Sequence, residues 1–329
     1  EEKNSIAQVL KRAGYSTAIA GKWQLVLMKN DTEHPAKLGF DEWSVFGWHE
    51  GARFHEPMIY ENGRVRTDTK GKYGPELYVD FLGDFMEKSA EAKKPFFAYY
   101  SMALAHDVTD DIPTQVPYVP GKDRWMNYGE MVESMDAMVG KLVAKLDALK
   151  LRKDTIILFT GDNGTYKNIT SRLSELKLKG GKGSMTEAGS RVPLLARWPG
   201  TIPPGAREEF FCLVDVLPTI ASLADIRLTQ PVDGLDLSHN LLGKNGKDRK
   251  RVLINYGRGY FVREKRFRLN QDGKLYDIPV ASDATRYSEK ATTDPKHDAH
   301  RHRLQALLNQ FMAIKNEYDT DKPTAHKNK

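Results

Sequence analysis

The amino end of the chain has the periodicity of an amphipathic helix. The segment "SIAQVLKRAG" places apolar side chains at helical spacing after Ser5, and Gln8 stands where a capping box needs its second partner. Gly14 is in the position that commonly ends a helix. The following "YSTAIAGKW" predicts a short strand and a turn. A crossover helix normally follows a strand on which it packs, so we expect at least one strand of the sheet to lie outside this sequence.

Strand and helix patterns continue to alternate up to about residue 225. Helices are predicted at 75–90, with Pro75 in the first turn, and at about 123–150. Apolar runs predict further strands at 95–104, 155–160 and 191–200, and a strand that leads into a helix at 210–225. The run "PFFAYYSMAL" at 95–104 is of the kind buried on both faces of a parallel sheet. The order predicts an α/β fold with a mostly parallel central sheet flanked by helices.

The pattern changes after about residue 245. Short strand-like runs separated by turn residues such as Asp272-Gly273 follow, then a helix at about 299–315 and a polar end. We predict an α/β catalytic domain over 1–245 that is incomplete at its amino end. A C-terminal subdomain over 246–316, with a small antiparallel sheet plus a helix, and a polar tail over 317–329 complete the chain.

Composition narrows the class of protein. The chain has 329 residues, of which 40% are hydrophobic and 29% charged, as in a soluble globular protein. Its apolar runs fall short of the roughly 20 residues of a membrane-spanning helix, so we expect no membrane span. The net charge of +6 comes from scattered basic residues with clusters at 247–251 and 263–268. This scatter indicates a solvated surface or an anionic substrate and no nucleic-acid partner, because nucleic-acid binders more often concentrate such charge on one stripe.

The single cysteine and the start of the chain carry little information about compartment. Cys212 lies in the apolar run "EFFCLVDVL" and is predicted to be a buried core thiol. The chain begins Glu-Glu-Lys, without an initiator Met or a secretory leader. We therefore expect either a processed leader or a fragment of a longer protein.

Polar side chains follow three of the predicted strands. Lys22 and Gln24 lie in "GKWQL", His106 in "SMALAHDV", and Asp162 and Asn163 in "TGDNG". Ligands of open α/β sheets collect beyond the carboxyl ends of the strands. We therefore expect these residues to meet in one cleft.

Each of these residues has a functional and a structural interpretation. Asp162 and Asn163 offer oxygen ligands for a hard cation such as Ca²⁺ or Mg²⁺, or they form an Asx turn that closes the strand. Lys182 lies between glycines in "KGGKGSMTEAGSR", in a backbone that approaches an anion closely or in a solvated loop. Lys22 is a cleft residue or a surface lysine. His106 is a candidate general acid or a structural histidine.

Other histidines are less informative. His49 and His55 lie in "FGWHEGARFHEP", which we interpret as a packed loop, with substrate contact as the alternative. The segment "HDAHRH" at 297–302 has the composition of a metal site, but it begins a predicted surface helix.

The quoted segments resemble motifs of the sulfatase family in the alkaline-phosphatase-like superfamily. "IAQVLKRAGYSTAIAGKWQL" looks like the second signature of that family, where Gly-Lys-Trp-His-Leu is usual. "TGDNG" is similar to its metal-binding strand end, and "GGKGSMTEAGSRVPLLARWPG" to the segment of its second active-site lysine. "DVLPTIASLADI" and "KLYDI" match further landmarks. The resemblance runs from about residue 4 to about residue 280, in the family's order.

The resemblance implies a sulfuric ester hydrolase that acts on an aryl or carbohydrate sulfate. Asp162 and Asn163 match two ligands of one Ca²⁺, and Lys22 and Lys182 match lysines that hold the sulfate oxygens and the nucleophile. His106 matches a histidine near the leaving-group oxygen. A divalent cation and two ammonium groups would stabilise the negative charge that develops on cleavage. The implied partner is a sulfated small molecule or glycan, and the family's habit implies a periplasmic or secreted protein.

The chain departs from the family pattern in two ways. The family's nucleophile is a formylglycine made within a Cys/Ser-x-Pro/Ala-x-Arg motif that precedes the second signature, and no such motif stands before that signature here. We expect it, with the remaining calcium carboxylates, to precede Glu1, and we expect these 329 residues alone to be inactive and to bind Ca²⁺ weakly. Gln24 replaces the usual His and cannot exchange a proton near neutral pH.

Two alternatives to the sulfatase hypothesis stay open from the sequence. The first is a phosphodiester or phosphonate hydrolase of the same superfamily. The second is a non-catalytic protein that binds sulfated glycans through Lys22, His106 and Lys182, which the presence of Gln24 favours.

Overall fold

A computed structural model gives the fold of the protein. The structure describes residues 4–106, 128–173, 176–257, 259–278 and 290–320. The chain divides into two compact units. Unit 1 consists of Glu1–Ile156, Trp198–Thr201 and Leu217–Asp233, and unit 2 consists of Ile157–Arg197, Ile202–Val216 and Gly234–Lys329. The domain boundary that the sequence predicts at residue 245 stays a prediction.

Unit 1 contains a five-stranded sheet in the order β4, β3, β2, β1, β5. Its strands are β1 (Ser16–Trp23), β2 (Glu42–Gly47), β3 (Tyr60–Glu61), β4 (Arg64–Val65) and β5 (Phe96–Ser101). β1 is parallel to both β2 and β5, whereas β3 and β4 pair antiparallel beyond β2. The three parallel strands bring their carboxyl ends to one edge of the sheet, which is where ligands of α/β proteins bind.

Strand β5 is less buried than its apolar run predicts. Most of its side chains are only partly buried, and Tyr99 is 48% exposed. Within the described residues, β5 pairs with β1 alone, so its other side has no strand neighbour there. The apolar composition identified the strand correctly, but burial depends on neighbouring strands that composition does not specify.

The helices of unit 1 begin where local sequence rules place them. Helix α1 (Ile6–Arg12) has the predicted capping box, in which the Ser5 Oγ accepts from the Gln8 N–H and the Gln8 Oε1 accepts from the Ser5 N–H, both at 3.1 Å. Gly14 follows in the left-handed conformation, with φ +90°. The other helices are α2 (His34–Lys37), α3 (Gly74–Glu91) and α4 (Tyr128–Ala148). Residues 123–127 of the predicted helix 123–150 lie outside the described part.

Apolar side chains from α1, β1, β2 and β3 form the core of unit 1. Ala7 of α1 and Ile19 of β1 are buried in the same cluster, so α1 packs on the face of the sheet. The other buried members are Trp23, Met28, Phe40, Trp43, Val45 and Tyr60. This packing holds β1 and β2 rigidly beneath the residues at their carboxyl ends.

The strands of unit 2 form separate antiparallel groups. They are β6 (Ile157–Thr160), β7 (Thr170–Leu173), β8 (Leu176–Lys179), β9 (Leu194–Arg197), β10 (Arg251–Tyr256), β11 (Gly259–Glu264), β12 (Phe267–Asn270), β13 (Leu275–Asp277) and β14 (Lys290–Ala291). β6 pairs antiparallel with β9, and β7 with β8, a hairpin that the sequence did not predict. β10 to β14 form the small C-terminal antiparallel sheet that was predicted.

The predicted C-terminal helix covers the antiparallel sheet of unit 2. Helix α8 (Asp298–Thr320) buries Leu304 and Leu308 against apolar side chains of that sheet. Burying a leucine side chain contributes about 2 kcal/mol, so both leucines stabilise the packing of α8 on this sheet. In the segment 297–302, the rings of His297 and His300 pack on Phe267 of this sheet, with centroids 4.7 and 4.3 Å from the centroid of its ring.

The segment around Cys212 differs from the prediction. Instead of a strand before the helix, the described residues show an isolated bridge at Phe210 and a 3-10 helix (Leu213–Asp215). The fully buried Asp215 carboxylate accepts the Cys212 N–H at 2.8 Å and pairs with Arg249, which favours a capped turn over an extended strand. Cys212 is therefore only partly buried rather than a core thiol.

Three short helices complete the described elements, namely α5 (Glu187–Ser190), α6 (Val216–Leu223) and α7 (Ser238–Leu241), with a 3-10 turn at Pro295–His297. Within the described residues, every helix is too short or too polar to cross a bilayer.

Candidate functional site

Lys22 lies at the carboxyl end of β1, next to a position that only glycine can occupy. Gly21 pairs with Ser101 of β5, and a Cβ on Gly21 would overlap the Ser101 carbonyl oxygen. Its φ of +97° is also a conformation that other residues rarely adopt. β5 therefore approaches β1 closely at this point, and Lys22, which is half-buried, emerges at the sheet edge.

Trp48 brings Lys22 and His106 together. Trp48 follows β2, and His106 follows β5, so each comes from the carboxyl end of a parallel strand. The Lys22 Nζ lies 4.2 Å from the centroid of the Trp48 indole. The His106 ring lies 4.9 Å from the same indole at an interplanar angle of 77°, an edge-to-face contact. Two of the predicted site residues thus share one aromatic ring.

A second cation contacts the same indole. The Arg53 Cζ lies 4.5 Å from the Trp48 centroid and 5.4 Å from that of Phe54. Arg53 is only 6% exposed. The His49 ring packs edge-on against Trp48 at 5.3 Å. Attraction between cations and aromatic rings increases when the cation loses water, so the buried guanidinium stabilises this arrangement more than an exposed one would.

The loop that carries Trp48 and Arg53 is held in place by its own backbone. The Met58 N–H donates to the Ala52 carbonyl at 2.8 Å, and the Glu56 N–H donates to the Lys72 carbonyl at 2.9 Å. His55 packs on Tyr73, with ring centroids 5.1 Å apart. These contacts agree with a packed loop.

Gln24 is an exposed residue just beyond β1. Gln24 lies two positions after Lys22, and residues two apart point to the same face only within a strand. Because β1 ends at Trp23, this rule does not place the Gln24 side chain beside that of Lys22. The role of Gln24 in the chemistry stays a prediction.

In unit 2, the backbone joins the segment of Asp162 and Asn163 to the loop of Lys182. The Gly164 N–H donates to the Gly189 carbonyl at 2.9 Å, and the Lys182 N–H donates to the Thr165 carbonyl at 2.9 Å. Asp162 is exposed and Asn163 is partly buried. The residues predicted to bind metal and the second lysine therefore lie on adjoining segments.

Glycines make this close approach possible. A Cβ on Gly164 would overlap the Ala188 carbonyl oxygen, and a Cβ on Gly181 would lie 2.8 Å from the Ala188 carbonyl carbon. The glycine-rich composition around Lys182 thus serves packing of the loop against the Asp162 segment. Lys182 itself is exposed.

A buried ion pair anchors the Lys182 loop to the C-terminal sheet. The Arg263 Nε of β11 donates to the Glu187 Oε1 of α5 at 2.6 Å, and both side chains are more than 90% buried. Burial lowers the pKa of Arg263, and the adjacent Glu187 carboxylate opposes that effect. Removing either partner would leave an uncompensated buried charge, so the pair fixes where the loop lies.

Asp162 and Asn163 have the oxygen donors that a hard cation prefers. Within the described residues, there is no group of three or more His, Cys, Asp or Glu side chains placed to hold a metal ion. The two residues supply two oxygen donors, and their role as calcium ligands stays a prediction.

The candidate residues fall into two groups, one in each unit. Lys22, Gln24 and His106 belong to unit 1, and Asp162, Asn163 and Lys182 belong to unit 2. The sequence predicts that both groups line a single cleft, and this stays a prediction.

Sequence reasoning did not identify Trp48 and Arg53. Both lie just after a strand that was not predicted, β2 (Glu42–Gly47), so their place at a carboxyl end was hidden. An arginine in a loop rich in aromatic and histidine residues was the available indication.

The segment "SDATR" at Ser282 to Arg286 matches the pattern Cys/Ser-x-Pro/Ala-x-Arg. It follows the motifs quoted above, whereas in the resembled family the pattern precedes them. This segment lies outside the described residues.

Comparison with known families adds an independent finding. A sulfatase family model matches residues 1–226 of the chain. The N-acetylgalactosamine-6-sulfatase of Canis lupus familiaris is 30% identical over 281 residues, which cover 79% of this chain and 52% of that protein. Arylsulfatase A of Bos taurus is 31% identical over 324 residues, which cover 88% of this chain and 62% of that protein. The chain thus spans between about half and three fifths of the length of these two relatives.

Solved structures show the same fold. The crystal structure of Ps i-CgsB has a TM-score of 0.74 at 24% identity and covers 93% of this chain, which covers 73% of it. The same protein has been crystallised with k-i-k-neocarrahexaose. The lipoteichoic acid synthase LtaP of Listeria monocytogenes has a TM-score of 0.59 at 17% identity, with coverage of 98% and 74%. The predicted alkaline-phosphatase-like α/β fold is confirmed, and its central sheet combines parallel and antiparallel strands.

Proposed function

Because the chain belongs to the sulfatase family, we propose that it forms the larger part of a hydrolase that cleaves sulfate monoesters of an aryl or carbohydrate substrate. The observation that carries this proposal is the convergence of Lys22 and His106 on Trp48 at the carboxyl edge of the parallel strands. A sulfate monoester is an anion, and a cation beside a proton donor is what its cleavage needs.

Lys22 provides positive charge for the sulfate. Its ammonium group lies over the Trp48 ring and its side chain is half-buried, which limits the screening of its charge by water. Negative charge develops on oxygen as the ester bond breaks, and a preorganised cation stabilises that charge without reorganising at the moment of reaction.

His106 is the proposed general acid. An oxygen nucleophile, which is water in the net reaction, forms a new bond to sulfur as the bond between sulfur and the ester oxygen breaks, and the ester oxygen leaves with the bonding electron pair. A proton from the His106 imidazolium then converts the alkoxide to an alcohol. Packing of its ring against Trp48 restricts the imidazole to a narrow range of orientations.

Lys182 and the oxygen donors of unit 2 are proposed to act on the same kind of group. Lys182 would bind a sulfate oxygen, and the tight glycine packing of its loop limits where its backbone can lie. Asp162 and Asn163 would hold a calcium ion. When bound, that ion supplies positive charge that neutralises the sulfate oxygens.

We further propose that residues 1–329 alone do not turn over sulfate esters. The described residues contain only part of a metal ligand set, and the resembled nucleophile motif does not stand before the Lys22 segment. Measurable hydrolysis of 4-nitrophenyl sulfate by the 329-residue chain would contradict this statement.

The test compares sulfate and phosphate esters on the complete gene product. We expect hydrolysis of 4-nitrophenyl sulfate or of a sulfated oligosaccharide in the presence of calcium, and far slower hydrolysis of the diester bis(4-nitrophenyl) phosphate. Faster turnover of the phosphate ester would favour a phosphodiester or phosphonate hydrolase, which the named relatives do not support. Binding of sulfated glycans without any turnover would favour a non-catalytic protein and would overturn the proposal.

A further inference from the structure

We propose that Trp48 is a positioning residue, which holds the Lys22 ammonium and the His106 imidazole in their working geometry, and that Arg53 fixes the indole from the loop side. This inference rests on the proposed function, because it assigns a role in binding and cleaving an anionic ester. Trp48 and Arg53 both lie outside the quoted family motifs.

Four charged or titratable side chains converge on one indole. The Lys22 Nζ and the Arg53 Cζ lie 4.2 and 4.5 Å from its centroid, and the His49 and His106 rings lie 5.3 and 4.9 Å away. A tryptophan that only fills a core is surrounded by apolar groups. The surroundings of Trp48 are instead those of a platform for polar side chains.

The indole attracts both cations. The negative face of the Trp48 ring interacts favourably with the Lys22 ammonium and with the Arg53 guanidinium. Because Arg53 is only 6% exposed, its contact with the ring is stronger than that of an exposed cation would be.

The loop is built so that the indole does not move. Hydrogen bonds from the Met58 and Glu56 N–H groups close it, and the Gly74 N–H donates to the Phe54 carbonyl at 2.5 Å. His49 has a φ of +62°, a left-handed backbone conformation that a non-glycine residue keeps only when its surroundings impose it. Trp48 itself is only half-buried, so part of the platform is open to a ligand.

The first experiment measures kcat and KM of Trp48→Leu and Trp48→Phe in the complete gene product. Without the indole, Lys22 and His106 lose the contact that positions them. We therefore expect Trp48→Leu to lower kcat about 10- to 100-fold and to raise KM by a smaller factor. Phenylalanine keeps a smaller aromatic face, so Trp48→Phe should recover most of the loss. Equal activity of Trp48→Leu and wild type, or no recovery by phenylalanine in a folded variant, would overturn the proposal.

The second experiment does not depend on turnover. Inorganic sulfate is titrated while tryptophan fluorescence is recorded, and we expect a saturable change that Trp48→Phe abolishes. Trp198→Phe is the matched control, because the Trp198 indole is engaged elsewhere in the chain, where its Nε1 donates to the Lys153 carbonyl. This variant should keep the change. A change that persists in Trp48→Phe, or no change in wild type, would overturn the role of Trp48. Sulfate binding at Trp48 without ester hydrolysis would leave this role standing and remove the proposed function instead.

Discussion

The edge of the parallel strands and the Asp162 to Lys182 region hold their polar residues by different means. At the strand edge, side chains hold side chains: Lys22 and His106 rest on the indole of Trp48. In the other region, backbone holds backbone: the segments of Asp162 and Lys182 are joined by N–H to carbonyl bonds through neighbouring glycines.

The difference indicates what each region can do by itself. In the proposed function, the strand edge offers an anion a cation beside a candidate proton donor, and both are already held on Trp48. The Asp162 region presents exposed oxygen donors on a well-fixed backbone, and such donors gain a defined geometry only when a cation joins them. We therefore expect the strand edge to respond to side-chain changes, and the Asp162 region to respond to metal.

The largest expected effect is at Lys22. Lys22→Ala removes the cation from the Trp48 platform, and kcat/KM of the complete gene product for a sulfate ester should fall about 10²- to 10³-fold. Lys29→Ala, which removes an exposed lysine close in sequence, is the control and should change kcat/KM less than twofold. Similar losses in both variants would show that Lys22 has no special role.

The next largest effects are expected at Gly21 and Gly164, the glycines where the backbone of each region is most tightly packed. Gly21→Ala and Gly164→Ala each force a Cβ onto a carbonyl oxygen, and we expect each to lower the free energy of unfolding by about 2–4 kcal/mol. Urea unfolding of the 329-residue chain measures this. Gly140 lies inside α4 with open space around it, so Gly140→Ala should stabilise the chain by up to about 1 kcal/mol. Tolerance of alanine at position 164 alone would mean that only the strand edge is tightly packed.

A smaller effect is expected at Asp162. Asp162→Ala removes one carboxylate from the proposed ligand set, and calcium affinity of the complete gene product should fall about 10-fold by calorimetry, which is about 1.4 kcal/mol. Asp80→Ala removes an exposed carboxylate from α3 and should leave the affinity unchanged. Unchanged affinity in Asp162→Ala would count against its assignment as a ligand.

The smallest effect concerns the sheet beneath the strand edge. Burial, together with a hydrogen bond to Glu50, raises the pKa of Tyr60 to about 12. The neutral phenol is favoured in the folded state, so its contribution to stability is complete below about pH 10 and is lost as pH rises through about 12. Between about pH 10 and pH 12, the free energy of unfolding should therefore decrease less in Tyr60→Phe than in the wild type. The difference in that decrease should be about 1 kcal/mol or less at pH 12. Tyr256→Phe, at a residue that is 63% exposed, should not flatten it.

The sequence anticipated the elements whose signals are local. The capping box of α1, Pro75 at the start of α3 and the turns between the C-terminal strands depend on neighbours within a few residues, and the structure has them where they were predicted. The prediction of a strand before α6 was wrong because the apolar run gave no indication of Arg249, which pairs with the buried Asp215 and holds it in a turn. The strand β2 was missed because the polar Glu42 and Ser44 interrupt its apolar residues.

The sequence by itself determined the family, the residue types available for chemistry and the helices and strands with strong local signals, because periodicity, caps and motifs are properties of short segments. Only the tertiary structure decided that Trp48, 26 residues after Lys22 and 58 before His106, contacts both of them. That contact exists because parallel strands distant in sequence end at the same edge, a consequence of strand pairing that no local pattern encodes.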